Sequence, residues 1–563
     1  MAGFKRVEDR PTPPAIYNIR VYAAAITAAI AAVMIGYDSA FFGTSISLGS
    51  FKREFGLDLK TAAEVSSIDS NLVSLYQAGA FFGSIFGYPS GVLLGRKWGL
   101  LLASAIFCVG AGVMLAADGA RGLAPIYAGR VIAGFGIGMA SNLTPLYISE
   151  IAPPAIRGQL VGMYEIGWQM GGLVGFFINY GVTEHIPASH KQWIIPFGVQ
   201  LIPGGLFLLG IPFFITESPR WLIQRSRRDE AIKNLCYLRK LDRNDAYLIQ
   251  EINDIDLQVE HDRSAVGQGF WSPFRQVFTN WYLARRLIIT STLFMWQNGT
   301  GINAINYYSP TVFRSLGLVG GNTSLLTTGI FGVVKTVCSL IWAFLLIDQF
   351  GRRGLLIFGS VGGAISMYII GGYIAIGKPE ERGNAELDAG GTMAIAFFYI
   401  WTVFYSLSWN GTPWVVNSEV FPGAVRQVTQ CVAATSNWFW NFVISRWTPN
   451  MFAQMGYGVY LASLPPYLPW ASMMVLSIPY LALLLPETKN VPLEEMDRLW
   501  YNKNVWRANS RVMSALQSER ADRQAGAKEE VLFNNGPKPK GQEEFVETVD
   551  SARGMRDISD TAV

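Results

Sequence analysis

The chain has 563 residues, half of them hydrophobic and only 15% charged, against about 25% charged in soluble domains. That balance excludes a disordered chain and argues against a soluble enzyme. The net charge of +4 is spread along the whole length and gives no reason to invoke nucleic acid.

Residues 1–20 carry Lys5, Arg6, Glu8, Asp9 and Arg10 and then prolines, a pattern unlike a signal peptide. The first apolar segment is therefore expected to stay as a membrane helix. Twelve segments have the length and apolarity of spans. They fall near 21–42, 66–92, 98–117, 124–148, 158–181 and 193–215, then near 286–310, 322–347, 354–377, 392–416, 428–452 and 467–485. At roughly 20 residues per span the bilayer takes about 240 residues, which this apolar supply covers. A charged stretch over 216–285 separates two sets of six and reads as amphipathic cytoplasmic helices. The expected division is thus an N-terminal six-helix bundle over 21–215, the linker, a C-terminal bundle over 286–486 and a cytoplasmic tail over 487–563. Leu493, Met496 and Leu499 are expected on a surface helix, with disorder beyond about 510. The fold class is all-α and membrane-embedded.

Arg96, Lys97, Arg157, the cluster from Arg220 to Arg243, Arg285, Arg286, Arg352, Arg353 and Arg426 fall on one side of this threading. The opposite loops carry few basic residues, so both termini are expected inside. Cys108, Cys236, Cys338 and Cys431 form no disulfide framework at this length. His185, His190 and His261 lack metal-ligand spacing, and no metal or cofactor is expected.

Two loops repeat. Glu150-Ile-Ala-Pro-Pro-Ala-Ile-Arg157 matches Glu419-Val-Phe-Pro-Gly-Ala-Val-Arg426. Gly95-Arg96-Lys97 answers Gly351-Arg352-Arg353, and Glu217-Ser-Pro-Arg220 answers Pro486-Glu487-Thr-Lys489. Three paired signals in one order point to an internal duplication. Two such halves can rock about a midplane site, which implies transport. Opposite charges at these repeats are expected to close the cytoplasmic face by ion pairs across the halves. The plainer reading is that they set topology and cap helices.

Charges inside spans cost about 2.5–3.5 kcal/mol each on insertion scales and should face the interior, paired. Four stand out: Asp38, Arg130, Glu165 and Lys335. Asp38 with Arg130 is the proton-coupling candidate, against a static ion pair. Gln297, Asn298, Asn303 and Asn306, with Tyr307 and Tyr308, cluster in span seven, and Gln297, Asn298 and Asn303 lie along one stripe if the Gly299–Gly301 region bends. Amides suit a polyhydroxylated ligand. Trp414 and Trp438 suit an apolar ring face. Helix–helix glue is the competing role for any one of these.

These motifs resemble the sugar porter family of the major facilitator superfamily over about residues 20–500. The match includes Gly36-Tyr37-Asp38, Gly129-Arg130, Glu217-Ser-Pro-Arg-Trp-Leu222, Asp348-Gln-Phe-Gly-Arg-Arg353 and Pro486-Glu487-Thr488. Trp296 through Tyr308 and Ser408-Trp-Asn-Gly-Thr-Pro-Trp414 are similar to the fungal quinate permeases within it. The resemblance implies the major facilitator fold and proton-coupled uptake of quinate across the plasma membrane. It places Gln297, Asn298, Asn303, Tyr307, Asn410, Trp414, Asn437 and Trp438 at substrate positions, and Asp38 with Arg130 at the proton site. It makes Glu150, Arg157, Glu217, Arg220, Asp348, Arg352, Arg353, Glu419, Arg426 and Glu487 the cytoplasmic gate. Such a bundle can work as a monomer.

Three departures from the family are visible. Glu165 stands where hexose transporters usually have glutamine, and Lys335 where asparagine is frequent. Lys335 could meet the carboxylate of quinate, with Glu165 accepting from its hydroxyls or holding Lys335; mutual neutralisation is the alternative. Val92 replaces an acidic residue of the loop motif, which weakens the N-terminal copy of that gate. Leu464-Pro-Pro-Tyr-Leu-Pro469 reads as an insertion. The competing functions are a hexose or other sugar transporter on the same fold, and a nutrient sensor that binds without net transport. No nucleophile–base set or phosphate loop supports an enzyme.

Overall fold

The computed structural model describes residues 12–267, 269–316, 321–377, 379, 388–455, 470–489, 491, 496–501 and 504–519. Among them there are helices and no β-strand. Span one is Ile19–Ile46, span two Ala62–Leu93, span three Arg96–Met114, span four Ala124–Ile151 and span five Arg157–His185. Span six comes in two pieces, His190–Val199 and Leu201–Phe214. Span seven is also split, into Trp281–Gly299 and Ile302–Ser315. Span eight is Gly321–Ile341 continued by a π-turn over Trp342–Leu346, and span nine is Arg352–Gly377. Span ten comprises Ala389–Ser406 and Thr412–Val420, span eleven is Gly423–Met455 and span twelve Trp470–Leu484. The run 464–469 and Leu493 lie outside the described residues.

Seven of these segments, spans one, three, four, six, eight, nine and ten, are each long and apolar enough alone to cross a membrane. The rest are shorter, broken or richer in polar residues, which bundled helices tolerate because neighbours satisfy what lipid cannot. Leu209, Phe213, Ile288 and Ile365 lie exposed on the outer surface. That is the apolar face expected toward lipid, not toward water.

Local chemistry explains the boundaries. Asn18 caps span one by accepting from the Arg20 N–H at 2.9 Å. Thr61 and Glu64 form a reciprocal capping box on span two. The bend in span seven needs Gly301, whose φ is +91° and where a Cβ would meet the Trp470 ring at 2.5 Å.

Buried apolar residues form two large clusters. One is drawn from spans one to six, with Tyr307, Tyr308, Leu325 and Trp438 reaching in from the other side. The second is drawn from residues 277–516, with Ala40 and Phe176 reaching back. The linker helices Pro219–Gln224, Arg228–Arg239, Ala246–Val266 and Ser272–Thr279 carry small cores of their own. Arg239 fastens them to the bundle: it pairs with Glu251 at 2.6 Å and donates to the Ile151 carbonyl at 2.9 Å.

The tail departs from expectation. Residues 508–519 are helical where disorder was expected from about 510. Ala508, Val512 and Leu516 bury one stripe in the second cluster, an i, i+4 pattern that charged neighbours obscure. Met496 and Leu499, on a helix as expected, are buried in that cluster too. Asp497 pairs with Arg286 at 2.6 Å, and Trp506 lies 3.7 Å under the Arg353 guanidinium. Truncating the chain before Asn504 should therefore lower the melting temperature in detergent by several degrees, whereas truncation after Glu519 should leave it unchanged. Equal melting of the two truncations would contradict the docked tail.

Candidate functional site: a cleft between the two halves

A small cleft opens between spans one and five on one side and spans seven and eight on the other. Gly36, Ser39, Trp168, Gln169, Asn306 and Lys335 are among its lining residues. Lys335 is 8% exposed, and among the described residues no carboxylate oxygen lies within 4.0 Å of its ammonium group and no hydrogen bond reaches it. The carboxylate whose charge it feels is Glu165.

Glu165 is held from two directions. Its Oε1 accepts from Gln169 Nε2 at 2.7 Å, one turn along span five, and from Asn410 Nδ2 at 2.6 Å across from span ten. Asn410 also donates to Ser339 Oγ at 3.1 Å, one turn beyond Lys335 in span eight. Gln297 Nε2 donates to the carbonyls of Trp409 and Asn410 at 2.8 and 2.9 Å. Glu165, Lys335, Asn410 and Gln297 thus form one constellation, with Gln169 and Ser339 as members beyond the expected set. Gln169 was detectable as a polar residue four positions after Glu165 on the same helix face.

The other span-seven amides bond to one another. Asn303 donates to Asn298 Oδ1, and Asn298 Nδ2 donates to the Phe294 carbonyl at 2.6 Å and to Asn437 Oδ1 at 3.2 Å. Trp438 is fully buried and donates to Ser141 Oγ at 3.0 Å, linking span eleven to span four. The Tyr307 hydroxyl donates to the Gln77 amide oxygen at 3.0 Å. Trp414 is half-buried and packs edge-on against Phe294 at 4.7 Å.

The Asp38–Arg130 pair is present and fully enclosed. Arg130 Nη1 donates to both Asp38 oxygens, at 2.9 and 2.8 Å, and neither residue has any exposed side-chain surface. The remaining guanidinium N–H groups reach the Leu72 and Val73 carbonyls at 3.2 and 3.3 Å. The Phe42 and Tyr76 rings lie 3.8 and 4.4 Å from its centre. Asp38 shares span one with Gly36, Ser39 and Ala40 of the cleft, so the pair lies behind the cleft wall.

The arginine-rich end differs from expectation. Arg96 pairs with Glu150 through two bonds of 2.8 Å, and Arg352 pairs with Glu419 at 2.7 Å, each inside its own half. Glu217 accepts from the backbone N–H groups of Arg96 and Lys97, as Glu487 does from those of Arg352 and Arg353. Burial pushes the Glu217 carboxyl above the usual range, and these donors oppose it. Arg220 pairs with Asp262 of the linker at 2.6 Å, and Arg426 donates to the Phe421 carbonyl at 3.1 Å. Arg157 is exposed, and the Asp348 side chain lies outside the described residues. Arg96 was missing from the expected gate, although its repeat with Arg352 marked it. Contact between the halves at this end comes instead from spans two and three against span eleven: Arg96 Nη2 of span three donates to Gln427 Oε1 at 3.4 Å, and Tyr88 of span two packs with Val428 and Cys431. Val92 serves here through its backbone, its carbonyl accepting from Trp221 Nε1 at 3.0 Å and from Arg225 at 2.7 Å.

Removing one member of a buried ion pair costs about 3–5 kcal/mol, because the other is left uncompensated. Arg130→Gln should accordingly lower the thermal stability of the purified protein sharply. The double variant Asp38→Asn/Arg130→Gln should recover part of the loss. Additive effects in that cycle would contradict a coupled pair.

Comparison with known proteins agrees with this architecture. Residues 24–500 match the family described as "Sugar (and other) transporter". Two curated relatives are the "Probable quinate permease" of Aspergillus flavus, 57% identical over 519 residues, and that of Aspergillus niger, 56% identical over 521. Each match covers 92% of this chain and 95% of the relative. Among solved structures, the proton:xylose symporter XylE bound to 6-bromo-6-deoxy-D-glucose superposes with a TM-score of 0.69 at 26% identity, covering 85% of this chain and 99% of that one. The inward-open xylose transporter XylE from E. coli gives 0.65 at 26% identity, covering 85% of this chain and 100% of that one. The chain is a multi-pass membrane protein that belongs to the sugar transporter family of the major facilitator superfamily.

Proposed function

We propose that this protein carries quinate, a cyclic polyhydroxy carboxylate, into the cell across the plasma membrane, coupled to protons, by alternating access. The observation that carries this reading is Lys335: a cation lining the cleft with, among the described residues, no carboxylate oxygen within 4.0 Å. An unpaired charge between membrane helices is costly unless it has a function or a partner that arrives later. A carboxylate ligand is that partner. The names of the relatives support the choice of quinate among such ligands.

The remaining groups fit the same ligand. Gln297, Asn298, Asn303, Asn410 and Asn437 offer donors and acceptors to its hydroxyls, and the amide bonds they now make to each other are exchanged for bonds to the ligand. Trp414, Trp438 and Tyr307 are the aromatic residues this reading assigns to the ligand's ring. Asp38, held by Arg130, takes the proton: neutralising the carboxylate loosens its hold on Arg130 and on spans two and four. A neutral sugar would use the amides and leave Lys335 without a partner, which ranks that alternative second.

Alternating access follows from the two halves, residues 21–215 and 286–486. The basic-rich end faces the cytoplasm in this reading, with both termini. The Arg96–Glu150 and Arg352–Glu419 pairs stiffen helix ends within each half. The parting surface is the contact of spans two and three with span eleven, where Gln427, Val428 and Cys431 must separate from Arg96 and Tyr88.

Replacing Lys335 by Asn should abolish labelled quinate uptake by proteoliposomes while surface expression in cells stays intact. Unchanged uptake would dispose of the assignment. Asp38→Asn should lower the number of protons moved per quinate by one in proteoliposomes, so an unchanged proton count per quinate would remove the proton role of Asp38.

A further inference from the structure

We propose that Glu165 is a second proton carrier, which takes up a proton when an anionic ligand engages Lys335 and releases it when that ligand departs. The inference rests on the reading of the cleft as an anion site and adds a coupling residue to it.

The groups that face Glu165 are Tyr164 and Gln169 from its own span, Lys335 from span eight, and Tyr405 and Asn410 from span ten. Lys335 is the cation among them, and Glu165 balances it from a distance without an ion pair within 4.0 Å. With Lys335 buried and Glu165 half-buried, the site is therefore neutral when empty. An arriving carboxylate adds one negative charge in a low-dielectric space, and a buried charge without compensation is strongly disfavoured. One proton on Glu165 restores neutrality, leaving Lys335 to the ligand.

The hydrogen-bond geometry permits both states. The amide N–H donors of Gln169 and Asn410 both reach Oε1. Oε2 has no hydrogen bond among the described residues. A proton can therefore reside on Oε2 while both amides stay bonded to Oε1, so neither state orphans a donor. The proton comes from the medium through the cleft and leaves the same way once the ligand has gone; no other bond forms or breaks. Because Asn410 belongs to the second half and Glu165 to the first, the Glu165–Asn410 bond also spans the two bodies that move. Weakening a charged acceptor to a neutral one loosens that bond at the moment the ligand is bound. Together with the proton on Asp38, each quinate anion would enter with net positive charge.

The test is infrared difference spectroscopy on the full chain in lipid nanodiscs. Adding quinate to the unsubstituted protein should produce the C=O stretching band of a protonated carboxyl, and Glu165→Gln should abolish that band. Lys335→Gln should show the band before any ligand is added, because Glu165 then stands alone. In proteoliposomes the protons moved per quinate should fall by one in Glu165→Gln. A ligand-induced band that persists in Glu165→Gln, quinate binding without any band, or a ligand-free Lys335→Gln lacking it would each overturn the proposal. If tryptophan fluorescence detects no quinate binding to the unsubstituted protein, the substrate reading fails, and the ligand-free Lys335→Gln spectrum still decides the role of Glu165.

Discussion

A charge placed among apolar helices must find a partner inside the bundle. Asp38 and Arg130 satisfy this requirement completely. Both carboxylate oxygens, two backbone carbonyls and two aromatic rings surround a single guanidinium. Lys335 satisfies it only in part, because Glu165 acts on it from a distance. The first arrangement is closed in the resting molecule. The second is left open on the cleft side, and that asymmetry separates a group that holds helices together from a group that waits for a ligand.

The cleft lies where the two halves meet, and its chemistry is shared between them. Spans one and five supply Ser39 and Gln169 to its lining, and spans seven and eight supply Asn306 and Lys335; Glu165, bonded to Gln169, meets Asn410 of span ten. A ligand that binds both sides therefore changes the energy of their relative motion directly. The 2.6 Å bond from Asn410 to Glu165 is the point at which binding chemistry and rigid-body movement share atoms. At the arginine-rich end the Arg96–Glu150 and Arg352–Glu419 pairs each stay inside one half. Across the halves, Tyr88 of span two packs with Val428 and Cys431 of span eleven.

Much of this was legible in the sequence, for physical reasons. Apolar runs of bilayer length mark the spans, and a lone charge inside such a run is conspicuous, so Asp38, Arg130, Glu165 and Lys335 stood out before any fold was known. The bend at Gly299–Gly301 was readable because glycine tolerates positive φ where other residues do not. Partner choice was less legible. Glu150 and Glu419 could be paired across the halves or within them, and only the fold shows Arg96 and Arg352 as their partners. The mutual bonding of Asn298, Asn303 and Asn437 depends on packing between spans seven and eleven, which spacing along the chain does not reveal. The helix at 508–519 was hidden because arginine and glutamate around Ala508, Val512 and Leu516 give it a polar composition, although its apolar stripe has helical spacing.

The central claim is that Lys335 is left open for the carboxylate of the transported molecule. The most direct measurement is an experimental structure of the full chain with quinate bound. The account predicts the quinate carboxylate at hydrogen-bond distance, about 3 Å, from Lys335 Nζ, with the ring hydroxyls toward the amides of spans seven and ten. Quinate seated elsewhere, or with its carboxylate turned away from Lys335 and that ammonium paired to Glu165, would contradict it.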